Sequence, residues 1–207
     1  MDLLRTEYDI RHILAVSRKN LKEHALIRVV VSSLAKKEEV MNITKRDFRV
    51  VKRGDFEFCT VRLVGNKTRI MPIDDKTYSI ISSICKYKRN REKVFEYTSK
   101  EMDEIVAKYS PPDNSYNVEK LRKGVFEILK DCMFFGSVDF DDLDVTVNFL
   151  HDFHPIYSGM WDLDDDEVLE DFIFNFLKVT GIRDVEKIAN VINENVDRVN
   201  SILVSKV

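Results

Sequence analysis

Three strand-like runs lie between residues 48 and 73, separated by two glycine turns. The runs are Phe48 with Val50 and Val51, the alternating residues 56–63, and residues 68–73. The turns, Gly54-Asp55 and Gly65-Asn66, are so short that only antiparallel pairing fits them. Pro72 has no backbone N–H to donate, so the third strand is expected to end there or to lie at an edge. The chain is therefore expected to contain a small antiparallel sheet of three strands.

Helical periodicity flanks this sheet on both sides. Apolar residues recur at helical spacing in two segments before the sheet and in several after it. The clearest are Ile10, Ile13 and Leu14; Leu26, Val29 and Val30; Leu121, Val125, Ile128 and Leu129; Leu143 and Val147; and Val168, Leu169, Phe172, Ile173 and Phe176. Helix starts are signalled by Asp74 or Asp75 and by the Thr98 and Glu101 capping box, and a helix end is signalled by Gly181. The predicted fold class is mainly α with a small three-stranded sheet, in one domain spanning residues 1–207.

Charge divides the chain into two parts. Residues 1–130 hold 28 Lys and Arg against 19 Asp and Glu, whereas residues 131–207 hold 5 against 17. Residues 139–171 contain no Lys or Arg at all. Such asymmetry favours a basic part that meets a polyanion and an acidic helical part that meets a protein partner or inhibits the basic part of the same chain. The alternative is two solvated surfaces that happen to differ in charge.

Several classes of protein are disfavoured by what the sequence lacks. There is no apolar run long enough to cross a bilayer and no basic-then-apolar start, so no membrane segment is predicted and the cytoplasm is the expected location. Cys59, Cys85 and Cys132 lie far apart in apolar surroundings and are expected to be reduced core thiols. With only six glycines there is no phosphate-binding loop and no serine-hydrolase elbow, and no cofactor is predicted.

Four strings, in order, resemble the catalytic domain of the tyrosine recombinase (phage integrase) family. They are residues 6–10, Thr-Glu-Tyr-Asp-Ile; residues 25–33, Ala-Leu-Ile-Arg-Val-Val-Val-Ser-Ser; residues 39–48, Glu-Val-Met-Asn-Ile-Thr-Lys-Arg-Asp-Phe; and residues 65–73, Gly-Asn-Lys-Thr-Arg-Ile-Met-Pro-Ile. The resemblance covers nearly the whole chain. It implies a DNA-binding domain in which a tyrosine attacks a phosphodiester while arginines, a lysine and histidines stabilise the developing charge.

The residues that would carry this chemistry are mostly missing. Lys36 stands at the position of the first arginine and cannot form the same two-pronged contact to phosphate. Val64 stands at the lysine position, although Lys67 lies close by in the turn. The family's His-x-x-Arg motif is expected after Cys132, and its two candidate placements, residues 141–144 and residues 151–154, both lack the arginine. No tyrosine follows Tyr157 in the last 50 residues. No catalytic residue is therefore predicted.

The leading interpretation is a catalytically inactive recombinase-like protein that serves as a DNA-binding or regulatory module. In this interpretation its acidic C-terminal third modulates the contact with DNA or recruits a protein partner. The elements that approach DNA in the resembled fold carry a set of cations expected to contact phosphate. They are Lys36, Lys45, Arg46, Arg62, Lys67, Arg69, Lys88, Arg89 and Arg91.

Two other interpretations remain open. In the first, the chain is a protein-interaction module whose acidic segment, residues 139–171, covers the former DNA face. In the second, His151 and His154 form a metal-dependent enzyme site with aspartates of residues 139–144, because imidazole and carboxylate suit several transition metals. No metal ligand is assigned, because the spacing of these residues does not specify a complete ligand set.

Overall fold

The computed structural model describes residues 2–53, 56–131 and 161–204. The chain is mainly helical around one small sheet, as predicted. Its elements are α1 (Leu3–Ser17), α2 (Leu21–Ser33), α3 (Lys37–Asn42), a 3-10 turn (Lys45–Asp47), β1 (Phe48–Arg53), β2 (Phe56–Val64), β3 (Thr68–Ile73), α4 (Asp75–Ile84), α5 (Ser99–Lys108), α6 (Val118–Asp131), α7 (Asp166–Thr180), α8 (Val185–Ile192) and α9 (Val196–Val204). The predicted turn at Gly54-Asp55 and the predicted helix around Leu143 and Val147 lie outside the described residues.

The sheet is an antiparallel meander in the order β1-β2-β3, which confirms the predicted three strands. Phe48 is paired with Val61, and Val61 with Met71, so these three side chains share one face. All three are buried, which makes this the face that packs on the helices. Pro72 lies within β3, which among the described residues pairs only with β2 and is an edge strand of the sheet.

Short polar side chains begin most of the helices. Asp2, Asn20, Asp74, Asp165 and Asp184 each accept a hydrogen bond from a backbone N–H in the first turn that follows. Thr98 and Glu101 form the predicted capping box at the start of α5. At the other end of a helix, Gly181 stops α7 in the left-handed conformation, with φ of 69°. These local hydrogen bonds explain why helix boundaries are readable in the sequence.

The helices enclose one contiguous cluster of buried apolar side chains. Members of this cluster come from α1 and α2, from the sheet, and from the C-terminal helices. Tyr8 of α1 packs against Phe172 and Phe176 of α7, with ring centroids 5.8 and 6.0 Å apart. Cys59 and Cys85 are buried free thiols, in agreement with the sequence, while Cys132 lies outside the described residues. Across the described ranges, no helix is both long and apolar enough to span a membrane.

Candidate nucleic-acid interface

The structure distributes the nine predicted cations over two places. Lys36, Lys67 and Arg69 belong to the region where the loop between α2 and α3 meets the β2–β3 turn. A Cβ added at Gly65, in that turn, would lie 3.1 Å from the Glu39 side chain, so the turn rests directly on α3. The other six belong to the 3-10 turn, the outer face of β2 and the loop after α4.

The first place is organised around the backbone carbonyl of Leu34, and we call it the Leu34 junction. Leu34 ends α2 in the left-handed conformation, with φ of 54° and ψ of 33°, which is unusual for a branched residue. Its carbonyl oxygen accepts hydrogen bonds from Arg69 Nη2 and Arg122 Nε, both at 2.9 Å. Two guanidinium groups from distant elements therefore converge on one backbone oxygen.

Arg69 is committed to the interior of this junction. Its Nε and Nη2 atoms bind the two oxygens of Glu39 at 2.9 and 2.7 Å. The side chains of Arg69 and Glu39 are only 9% and 5% exposed. Burial by itself would raise the pKa of Glu39, but the hydrogen bonds and charge of Arg69 lower it below its usual value. Arg69 is therefore part of the frame, and its charge is already balanced.

Arg122 is a buried arginine of this junction that the sequence reasoning missed. It lies on the buried face of α6, with its side chain 2% exposed, and its Nη1 atom binds Glu119 at 2.6 Å. The signal available in the sequence was an arginine between Leu121 and Val125 on the apolar face of an amphipathic helix.

Arg62 also forms an ion pair within the protein, but its side chain stays partly exposed. On β2 it faces away from the helices, and its Nε and Nη2 atoms bind Asp47 Oδ1 at 2.8 and 2.7 Å. Burial would raise the pKa of Asp47, but hydrogen bonds from Thr44 and Arg62 hold it below its usual value. The Arg62 side chain stays 43% exposed, so it borders the solvent while fixing the 3-10 turn.

The loop after α4, residues 86–91, is here called the basic loop, and backbone hydrogen bonds hold it against the 3-10 turn. Arg46 N donates to Asn90 O at 3.0 Å, and Lys45 N donates to Glu92 O at 3.2 Å. Thr44 forms a β-bridge with Lys93. The end of the basic loop and the two residues that follow it are thus paired with residues 44–46, although the two segments are more than 40 positions apart in the sequence.

Two lysines use their ammonium groups to fasten the basic loop. Lys45 Nζ donates to the carbonyl oxygen of Lys88 at 3.0 Å. Lys88 Nζ donates to the carbonyl oxygen of Lys93 at 2.8 Å and lies 3.3 Å from Glu96. These two side chains therefore contribute charge and rigidity at once.

Three arginines, in contrast, point their head groups outward from the same frame. Arg46 and Arg91 are exposed, and the Arg89 side chain is 90% exposed, with Glu92 3.9 Å away. A cleft of about 290 Å³ opens beside them, lined by Lys45, Arg46, Phe48, Tyr78, Cys85 and Asn90 among others. The arrangement is a rigid cationic surface with a part-apolar recess, which suits a phosphate-bearing ligand.

The described end of the acidic segment lies elsewhere. Asp164 pairs with Arg18 at 3.1 Å and with Lys76, while Asp166 pairs with Arg198 at 2.7 Å. Lys76 is in the first turn of α4, and the basic loop follows the last turn of that ten-residue helix, about 15 Å further along its axis. His151, His154 and residues 139–144 lie outside the described residues. Within the described ranges, no group of three or more His, Cys, Asp or Glu side chains is placed to hold a metal ion.

Comparisons with known proteins give one close relative and one similar structure. No family model matches the chain. An uncharacterised protein of Archaeoglobus fulgidus is 44% identical over 191 residues, which cover 92% of this chain and 87% of that protein. A crystal structure of XerA recombinase superposes with a TM-score of 0.46 at 11% identity over 81% of this chain, which spans 62% of the length of that one.

Proposed function

We propose that this chain, which belongs to the same family as the Archaeoglobus fulgidus protein, binds DNA through the basic loop and the 3-10 turn and does not cleave it. One observation carries the proposal. The basic loop is fixed by backbone pairing and two lysine ammonium groups, while Arg46, Arg89 and Arg91 extend into solvent.

The physical argument concerns the cost of gathering like charges. Six cations lie within the short basic loop and the 3-10 turn, and their mutual repulsion disfavours the arrangement. A polyanion that bridges them offsets this repulsion and releases condensed counterions. Because the loop is already ordered, binding would cost little further backbone entropy. A duplex phosphate backbone is a polyanion with regularly spaced charges, and guanidinium groups contact it well.

The absence of cleavage is supported by the sequence and by side-chain commitments. No tyrosine follows Tyr157, so no tyrosine stands where the resembled family has its nucleophile. Arg69 is bound to Glu39, and Arg122 is bound to Leu34 and Glu119. Both guanidinium groups are buried and donate their hydrogen bonds to groups of the protein itself, which favours a structural role for them.

Binding is tested by the salt dependence of affinity for a fluorescent duplex between about 50 and about 200 mM salt. Loss of two phosphate contacts in Arg89→Ala/Arg91→Ala should weaken binding and reduce the slope of log K against log salt by about 2. The matched control is Lys100→Ala/Lys187→Ala, which removes two exposed cations elsewhere, with side chains 87% and 72% exposed. The control should keep the wild-type slope.

Three outcomes would contradict this proposal. Absence of binding even at low salt would leave the protein-interaction module as the remaining hypothesis. Equal effects of the two double variants would mean that the basic loop is not the binding surface. Covalent capture of the chain on a nicked duplex would show that it does cleave DNA.

A further inference from the structure

We infer that the DNA preferred by this chain carries unpaired bases, and that the ring of Tyr87 stacks on one of them. The inference rests on the proposed DNA binding and names the kind of DNA. It depends on the position of one aromatic side chain within the basic loop, and on the recess beside that loop.

Tyr87 is 90% exposed, more than any other large apolar side chain in residues 2–53, 57–130 and 161–204. The other tyrosines within those ranges are buried or half-buried. The Lys86 ammonium lies 5.5 Å from the centroid of the Tyr87 ring. The ring lies outside the core, so it is accessible to a ligand at the surface.

The backbone on both sides of Tyr87 is fixed. Lys86 N donates to Ser83 O at 3.3 Å, and Lys88 N donates to Cys85 O at 3.0 Å. The ring is therefore carried by an ordered turn, and a tyrosine has only two side-chain torsions to restrict on binding. Cations stand directly beside it at Lys86 and Lys88, with Arg89 next along the chain. Aromatic residues interleaved with cations are typical of surfaces that bind bases and phosphates together.

The geometry of DNA decides which ligand can use this ring. In a regular duplex the face of each base is covered by its neighbours, and a single ring reaches it only by unstacking a step, which weakens binding. Where bases are unpaired, this cost is largely absent, and stacking on an aromatic side chain strengthens binding by about 5- to 150-fold per base. A Tyr87 contact therefore favours single-stranded, bulged or branched DNA over a continuous duplex.

The cleft beside the basic loop has the composition expected for an unpaired nucleotide. Lys45 and Arg46 supply positive charge, Phe48 and Tyr78 supply aromatic surface, and Asn90 supplies an amide that can donate to and accept from a base edge. Asn90 belongs to the basic loop, and Cys85, which also lines the cleft, is the residue immediately before the basic loop. A base next to the one stacked on Tyr87 thus has a recess within reach.

The test compares two labelled probes, a continuous duplex and the same duplex with a short bulge that contains 2-aminopurine. Wild-type protein should bind the bulged probe about ten-fold more tightly, as one stacking contact implies. It should also change the 2-aminopurine fluorescence. Tyr87→Ala should abolish both the preference and the fluorescence change, and Tyr87→Phe should keep both. Arg89→Ala should weaken binding to the two probes by the same factor.

The outcomes separate this inference from the proposed function. Equal affinity of the wild-type protein for both probes, or equal weakening of both by Tyr87→Ala, would overturn the inference and leave DNA binding intact. Binding to neither probe would overturn the proposed function itself. Because Tyr87 is exposed, the variant should unfold at the wild-type temperature, and a thermal melt confirms that any loss of binding is not a loss of folding.

Discussion

At the scale of single residues, two cations with similar sequence surroundings have opposite roles. Arg69 and Arg89 both lie near a turn and close to other basic residues. Arg69 donates hydrogen bonds from Nε and Nη2 to the buried Glu39 carboxylate and from Nη2 to the Leu34 carbonyl, whereas the Arg89 side chain is 90% exposed. A buried ion pair is retained only when each charge is matched by the other, so Arg69 serves the fold and Arg89 is free to serve a ligand.

Arg69→Ala should destabilise the protein by about 3–5 kcal/mol, because it leaves the carboxylate of Glu39 buried without its partner. The midpoint of urea unfolding measures the loss. The matched control is Arg89→Ala, which removes the same side chain from an exposed position and should change stability by less than about 0.5 kcal/mol. Equal effects of the two substitutions would contradict the assignment of Arg69 to the frame.

The same pair gives the molecule a dependence on acid. The pKa of Glu39 is lowered in the folded protein from an ordinary value of 4.5, so the folded state favours the charged form. The ionised Glu39 contributes fully to stability when the pH is above 4.5, the ordinary pKa of the group. This contribution is lost as the pH falls through the lowered pKa of the folded state. The difference in stability between wild type and Glu39→Gln should therefore shrink below about pH 4.

At the scale of secondary-structure elements, the interior packing of α1 on α6 depends on a glycine. A Cβ added at Gly124 would lie 2.9 Å from Thr6 Cγ2 and 3.5 Å from Ile10 Cδ1. The first distance is shorter than real side chains allow, and Thr6 is buried and hydrogen-bonded to Asp2 through its hydroxyl. The absence of a side chain at position 124 is thus what lets the two helices approach.

Gly124→Ala should destabilise the protein by about 1 kcal/mol. Alanine favours the helix by about 1 kcal/mol relative to glycine, but overpacking in a filled core costs about 1–3 kcal/mol. Thr6→Ser removes the obstructing methyl group and keeps the hydroxyl, so the double variant should recover most of the loss. If Gly124→Ala were stabilising by itself in thermal unfolding, the close approach of α1 and α6 would be contradicted.

At the scale of the whole molecule, an acidic residue that precedes α7 forms ion pairs with basic residues of the N-terminal part of the chain. Asp164 pairs with Arg18, at the end of α1, and with Lys76 of α4. These two pairs fasten the segment that leads into α7 to α1 and α4, while Arg198 pairs with Asp166 and Glu194 inside the C-terminal part. Since the contacts involve the first turn of α4, they leave the basic loop beyond its last turn uncovered by these carboxylates.

Asp164→Ala should reduce stability by about 1 kcal/mol at low salt, because two partly exposed cations lose their shared partner. The loss should shrink at about 1 M salt, where screening acts over about 3 Å. Urea unfolding at both salt concentrations measures it. Glu127→Ala, which removes one negative charge from α6, is the control and should change stability less. A salt-independent loss in Asp164→Ala would indicate a packing role instead.

The parts of the fold that were predictable from the sequence are those governed by neighbours along the chain. The Gly65-Asn66 turn brought together β2 and β3, and Thr98 with Glu101 marked the start of α5. The candidate site was less predictable from the sequence, because its side-chain contacts join residues that are distant along the chain. The residues around Lys45 in the sequence do not indicate that its ammonium group binds the Lys88 carbonyl. The role of Arg122 could not be predicted because its partner Leu34 lies 88 positions away.

The sequence by itself determined the mainly helical fold with a three-stranded sheet, the excess of positive charge in residues 1–130, and the lack of a tyrosine after Tyr157. These follow from periodicity, from turn chemistry and from composition, which need no knowledge of contacts. Only the tertiary structure decided which cations form ion pairs and hydrogen bonds within the protein and which stay exposed to a ligand. The reason is physical. A cation is available to a ligand only if no carboxylate or carbonyl group from another element binds it, and only folding brings those groups near.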